Sequence, residues 1–95
     1  MDKKGVAEVL EEMAMLMELK GENPFRIRSF VNGARTIEAL DEDLATVVVE
    51  GRLRAIKGIG EALAAIITEL FATGESSDLK ALRADHEFLL RGDVF

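Results

Sequence analysis

A chain of 95 residues, 48% of them hydrophobic, has material for one small core and too little for a deep enclosed cleft. The lack of cysteine rules out disulfides, thiolate zinc sites and cysteine nucleophiles. A formal charge of −6 argues against a surface broadly built to neutralise a polyanion. No apolar run approaches the roughly 18–20 residues of a membrane span, and the N-terminus lacks the apolar stretch of a secretory signal. A cytoplasmic chain with no membrane partner is expected.

Residues 3–20, KKGVAEVLEEMAMLMELK, set Val6, Val9, Leu10, Met13, Leu16 and Met17 on one helical stripe, and Gly21 supplies the stop. Met13 and Met17 read as core, while Met15 falls off the stripe and reads as exposed. Asn23-Pro24 is an N-cap followed by proline at the first helical position. A second helix from there to about Leu40 turns Ile27, Phe30, Val31, Ala34 and Ile37 inward. Arg26, Arg28 and Arg35 stand off that stripe, either as solvated surface or as one phosphate-facing patch. Asp41 is a natural N-cap for a short third helix over about 42–50, so Asp41-Glu42-Asp43 reads as helix-start chemistry rather than a metal cluster. Val47, Val48 and Val49 are poor helix formers, so packing must hold that helix. Gly51 ends it.

The stretch Leu53–Ile67, LRAIKGIGEALAAII, predicts the end of a short helix, a four-residue hairpin Lys57-Gly58-Ile59-Gly60, and the start of another helix. Leu53, Ile56, Ile59, Leu63, Ala64 and Ile67 are spaced to share one core. Glycines on both sides of a buried isoleucine admit φ > 0 and close approach of another backbone. Amides of Gly58, Ile59 and Gly60, backed by a helix N-terminus, form an anion site, for which the abundant extended anion is a nucleic-acid phosphate backbone. The span Gly51–Gly74 carries a net charge of +1, a locally neutral-to-basic face on an acidic body. Gly74 stops the hairpin's second helix. Ser76 or Ser77 then caps a last helix over about 78–84 carrying Leu79 and Leu82, which the tail ADHEFLLRGDVF extends or follows with a short turn. His86, between Asp85 and Glu87, reads as surface, and Arg91-Gly92-Asp93 as a coincidental match to an integrin-recognition tripeptide.

Leu53, Ile56, Gly58, Ile59, Gly60 and Ala64 fall at the positions of the helix-hairpin-helix motif, and the stretch resembles it closely. The resemblance implies binding to DNA or RNA without sequence specificity, through backbone amides. LELKGENPFRIRSF, IEAL and EGRLRAIKGIGEALAAIITELFATG together are similar to the N-terminal eight-kilodalton domain of family X DNA polymerases, over roughly residues 5–84. That likeness implies an all-α, compact bundle of about five short helices with one helix-hairpin-helix motif, taken here as a single domain over 1–95. It implies contact with the phosphate backbone of gapped or single-stranded DNA in repair or replication. The phosphate-binding residues implied are Lys57, Gly58, Ile59, Gly60, Glu61 and Ala62, with Arg26 and Arg28 as a second patch. The carbonyls of Arg54, Ile56 and Ile59 would hold a Na+ or K+ ion, and no other cofactor is implied.

The departures from that family carry as much. Where its lyase members place a Schiff-base lysine, this chain has Ile66. Their supporting lysine corresponds to Ala62 and their supporting tyrosine to Phe30. Neither that lysine nor a polymerase palm is present, so no enzymatic activity is expected. The function expected is a weak, non-specific DNA-binding module, working with a separate repair or replication protein. The alternative is a protein-interaction domain of the same fold that has lost DNA binding.

Overall fold

The 3.6-residue periodicity carries through the chain. The computed structural model describes residues 1–91 and contains, among them, five α-helices, one 3-10 turn and no strand. Helix α1 (Lys3–Lys20) starts where the Asp2 carboxylate accepts the Gly5 N–H at 2.7 Å, and it ends at Gly21. Helix α2 (Pro24–Glu38) starts where the Asn23 side chain accepts the Phe25 N–H at 2.8 Å. The short turn between them folds α2 back along α1. Lys3 Nζ donates to the Leu40 carbonyl, tying the far ends of the pair. Val6, Leu10, Met13, Met17, Phe30 and Ile37 are buried between these helices and their neighbours, whereas Met15 is exposed as its phase requires. Each such buried side chain contributes roughly 1.5–3 kcal/mol, so this pair carries much of the core.

Helix α3 (Leu44–Val49) is shorter than its expected 42–50, and its cap is Asp43 rather than Asp41. The reason is Thr46, which gives the Asp43 carboxylate a backbone N–H at 3.3 Å and a hydroxyl at 2.9 Å. Glu42 instead pairs with Arg52 at 2.8 Å, and the Arg52 guanidinium holds its carboxyl below the usual range. Only Val47 of the three valines is fully buried, which keeps this poor helix former in place. The expected helix end at Leu53 is a single 3-10 turn, Leu53–Ala55. Helix α4 (Glu61–Thr73) follows and stops at Gly74.

Helix α5 (Ser77–Arg91) takes the first of the two expected courses, the tail extending the helix beyond 84. Ser76 Oγ accepts the Leu79 N–H at 3.2 Å, and the Glu69 carboxylate accepts the Ser77 N–H at 3.1 Å. Leu79 and Leu82 enter the core. Beyond them the apolar stripe thins, and ion pairs to α1 hold the helix: Arg83 grips Glu12 at 2.6 and 2.7 Å, and Lys20 reaches Asp85 at 2.9 Å. His86 is half-buried on this helix rather than fully solvated. Gly92 and Asp93 of the Arg91-Gly92-Asp93 tripeptide lie outside the described residues.

Candidate nucleic-acid interface

The hairpin is seated on one face of α2. Its tip residue Ile59 is buried, and its N–H donates to the Ile56 carbonyl at 3.0 Å. The Ile59 amide therefore closes the turn instead of projecting from it, which corrects its expected part as a phosphate-facing donor. Ile56 packs against the core but is only half-buried, less than its phase suggests. The seat itself is Gly33. A Cβ there would lie 2.5 Å from Leu63 Cδ1 and 3.8 Å from Ile59 Cδ1, so a bare α2 backbone lets α4 and the hairpin tip come close. Sequence reasoning passed over Gly33, although a glycine inside an otherwise clean helical pattern was its signal.

The two hairpin glycines do different jobs. Gly58 has φ +97, and a Cβ on it would sit 3.2 Å from Thr36 Oγ1, so the turn needs glycine on both counts. Gly60 has φ −88 and ψ −172, an extended conformation open to any residue, and a Cβ there would meet nothing within 4 Å. The expected φ > 0 strain is thus confined to Gly58. A side chain at Gly60 would project into open space, where a ligand would approach.

That space is a groove of about 270 Å³ between the two elements. Arg26, Ser29 and Phe30 of α2 line one side, and Gly58, Gly60, Glu61, Ala62 and Leu63 line the other. Helix α4 starts with Gly60 as its cap and no side-chain hydrogen bond. Its first backbone bond runs from the Ala64 N–H to the carbonyl of the Gly60 cap, so the N–H groups of Glu61, Ala62 and Leu63 have no partner within the helix. Arg26 stands over the Phe30 ring at 5.7 Å, a contact that positions its guanidinium at the groove.

Arg28 and Arg35 do not join it. At about 100° per residue, positions 26 and 28 point some 200° apart, while 28 and 35 share a face. Arg28 lies over the Phe25 ring at 5.9 Å, and with Arg35 it lines a second groove of about 580 Å³ against Glu18, Glu22, Ile27 and Val31. The expected arginine patch is therefore split, with Arg26 alone on the hairpin side.

Charge is distributed accordingly. Lys20, Arg52, Lys80 and Arg83 are all spent on acidic partners within the chain. Among the described residues, Arg26, Arg54 and Lys57 near the hairpin make no ion pair, and neither do Lys3, Lys4, Arg28 and Arg35 away from it. Of the backbone carbonyls expected to hold a cation, that of Ile56 accepts the Ile59 N–H, while those of Arg54 and Ile59 accept no backbone N–H among the described residues. Such neutral oxygen donors suit a hard monovalent ion. Ile66, at the position of a lyase lysine, is 3% exposed and belongs to the core, and Ala62 is exposed without a charge to offer.

Compared with known proteins, residues 1–76 match the helix-hairpin-helix domain family. Over 85 residues, 90% of the chain, the sequence is 34% identical to the DNA polymerase/3'-5' exonuclease PolX of Bacillus subtilis (strain 168). The match spans 14% of that polymerase's length. No helix among the described residues is long and apolar enough to cross a membrane.

Proposed function

The chain belongs to the helix-hairpin-helix domain family, and on that premise we propose that it binds DNA through its hairpin, without sequence specificity. The contacts are made by backbone amides of Gly58, Gly60, Glu61 and Ala62 to phosphate oxygens. Arg26 and Lys57 add side-chain charge, and a Na+ or K+ ion sits on the carbonyls of Arg54, Ile56 and Ile59. One observation carries this reading: Gly60 is unstrained, yet it leaves open the space in front of partnerless helix-start amides. The likeness to a DNA polymerase supports DNA as the polyanion, with gapped or single-stranded DNA in repair or replication as the natural target. No lyase chemistry of the Schiff-base kind is proposed, because Ile66 offers no amine and lies in the core.

Binding should be weak and shallow in salt. A hairpin meeting two or three phosphates gives a log–log salt slope near −2 to −3 and dissociation constants of about 10⁻⁴–10⁻⁶ M. Fluorescence anisotropy on gapped, single-stranded and duplex DNA at two salt concentrations tests this. Nanomolar sequence-specific binding at physiological salt would refute it. No binding at low salt would favour a protein-interaction module instead. For that second reading the specific observation is the Arg28–Arg35 groove, whose Ile27 and Val31 lie between acidic and basic residues.

A further inference from the structure

On the side of α2 turned away from the hairpin, α1 and α2 form a shallow face with an apolar floor. Met15 of α1 is 53% exposed there, and Ile27 and Val31 of α2 are half-buried beside it. The charges along its edges are sorted by helix. Glu11 and Glu18 stand on α1, while Arg28 and Arg35 stand on α2. None of the four makes an ion pair among the described residues. A nucleic-acid backbone is a poor occupant, because one whole edge is acidic.

Spacing makes this face complementary to itself. Glu11 and Glu18 are seven residues apart, and so are Arg28 and Arg35, which is two helical turns or about 10.5 Å in each case. Because α2 runs back along α1, Glu18 and Arg28 lie within one turn of the same level, and Glu11 and Arg35 do so two turns below. We propose that a second copy of the chain docks on this face, about a twofold axis parallel to the two helices. That axis keeps each residue at its own level and lays α1 of each copy over α2 of the other. Glu18 then meets Arg28 of the second copy and Glu11 meets its Arg35, each contact made twice by symmetry. The four helices alternate in direction, as in an up-down four-helix bundle, and Met15, Ile27 and Val31 come together between them. A twofold axis running across the helices would instead set acid on acid and base on base, which the charges oppose. The proposal names an occupant for the groove behind the protein-interaction reading, and it stands whether or not the hairpin binds DNA.

Sedimentation velocity on the whole chain, from micromolar to millimolar concentration, tests it. The parent should be monomeric at the low end and dimeric toward the high end, a weak association in keeping with a small interface. High salt should shift it back toward monomer. Glu18→Arg and Arg28→Glu should each weaken dimerisation about tenfold or more, by setting like charges opposite one another. Mixing the two variants, or combining both changes in one chain, should restore it, since the facing charges are again opposite in sign. Both positions are exposed, so melting curves should show the fold intact. Glu11→Arg with Arg35→Glu forms an independent pair that reads the same contact if either of the first variants unfolds. A parent that stays monomeric at millimolar concentration and low salt would overturn the proposal and leave the groove to a different protein. A dimer indifferent to the charge swaps would overturn it by placing the interface elsewhere. A dimer that gapped DNA dissociates would overturn it by giving this face to DNA. The hairpin's own binding is read separately by anisotropy, so failure of the dimer and failure of the DNA-binding reading are distinguishable.

Discussion

Gly58 and Gly60, two positions apart, separate the needs of the fold from the needs of the ligand. A β-branched residue at Gly58 must adopt φ near +97 and push against Thr36 Oγ1, a strain of about 1–3 kcal/mol. Gly60→Val meets neither penalty, since its backbone is extended and its Cβ points into open space. Thermal melts should therefore show Gly58→Val lowered by several degrees and Gly60→Val within about two degrees of the parent. Equal losses in the two variants would mean that Gly60 is also a structural glycine. Binding should follow the opposite logic, with the folded Gly60→Val protein losing DNA and Lys57→Ala losing roughly one phosphate contact. The pair of glycines was visible in the sequence, but their division of labour was not. It depends on Thr36 and Gly33, more than twenty residues upstream, which no local pattern connects to the hairpin.

Among the elements, α3 and α5 tested sequence reasoning most. Asp41 was the expected cap, but the structure gives the place to Asp43, whose carboxylate takes the donor pair on Thr46. Asp43→Ala should cost about 1 kcal/mol in chemical denaturation, while Asp41→Ala should be close to neutral. A larger loss at Asp41 would move the cap back to its first expected place. For helix α5 the sequence left open whether the tail after 84 extends the helix or forms a separate turn, and the structure extends it to Arg91, with ion pairs from Arg83 and Asp85 to α1. Hydrophobic periodicity cannot register such pairs, because they join residues far apart in sequence. They carry a pH signature. The Arg83 hydrogen bond holds the Glu12 carboxyl below the usual value near 4.5, so its stabilisation is complete above that value and fades as pH falls through the depressed one. Melts between pH 5 and pH 3 should show a shallower acid loss in Arg83→Met than in the parent. The difference will be small because the pair is largely exposed. An unchanged acid limb would mean that the pair contributes nothing to α5 docking.

At the scale of the molecule, the proposed DNA contact sits on a chain whose net charge is −6, and the arrangement of its ion pairs bears on that proposal. Ion pairs take up Lys20, Arg52, Lys80 and Arg83, and among the described residues Arg26, Arg54 and Lys57 near the hairpin are left without one, as are Lys3, Lys4, Arg28 and Arg35 elsewhere. The all-α class, the order of the helices and the hairpin with its following helix were legible, because each rests on local periodicity and glycine stops. The side of α2 that faces the hairpin was also within reach, since Arg26, Ser29, Phe30 and Gly33 follow the i, i+3, i+4, i+7 rule. Grouping Arg26 with Arg28 ignored that arithmetic. The groove needed coordinates, because its two sides come from α2 and α4. The most direct measurement of the central claim is a ¹⁵N-resolved NMR titration with a short gapped DNA at low salt. The amides of Gly58, Gly60, Glu61 and Ala62 should move most, and the internally bonded Ile59 amide should move less. The largest shifts falling around Arg28, Val31 and Arg35, with the hairpin amides unmoved, would contradict the account.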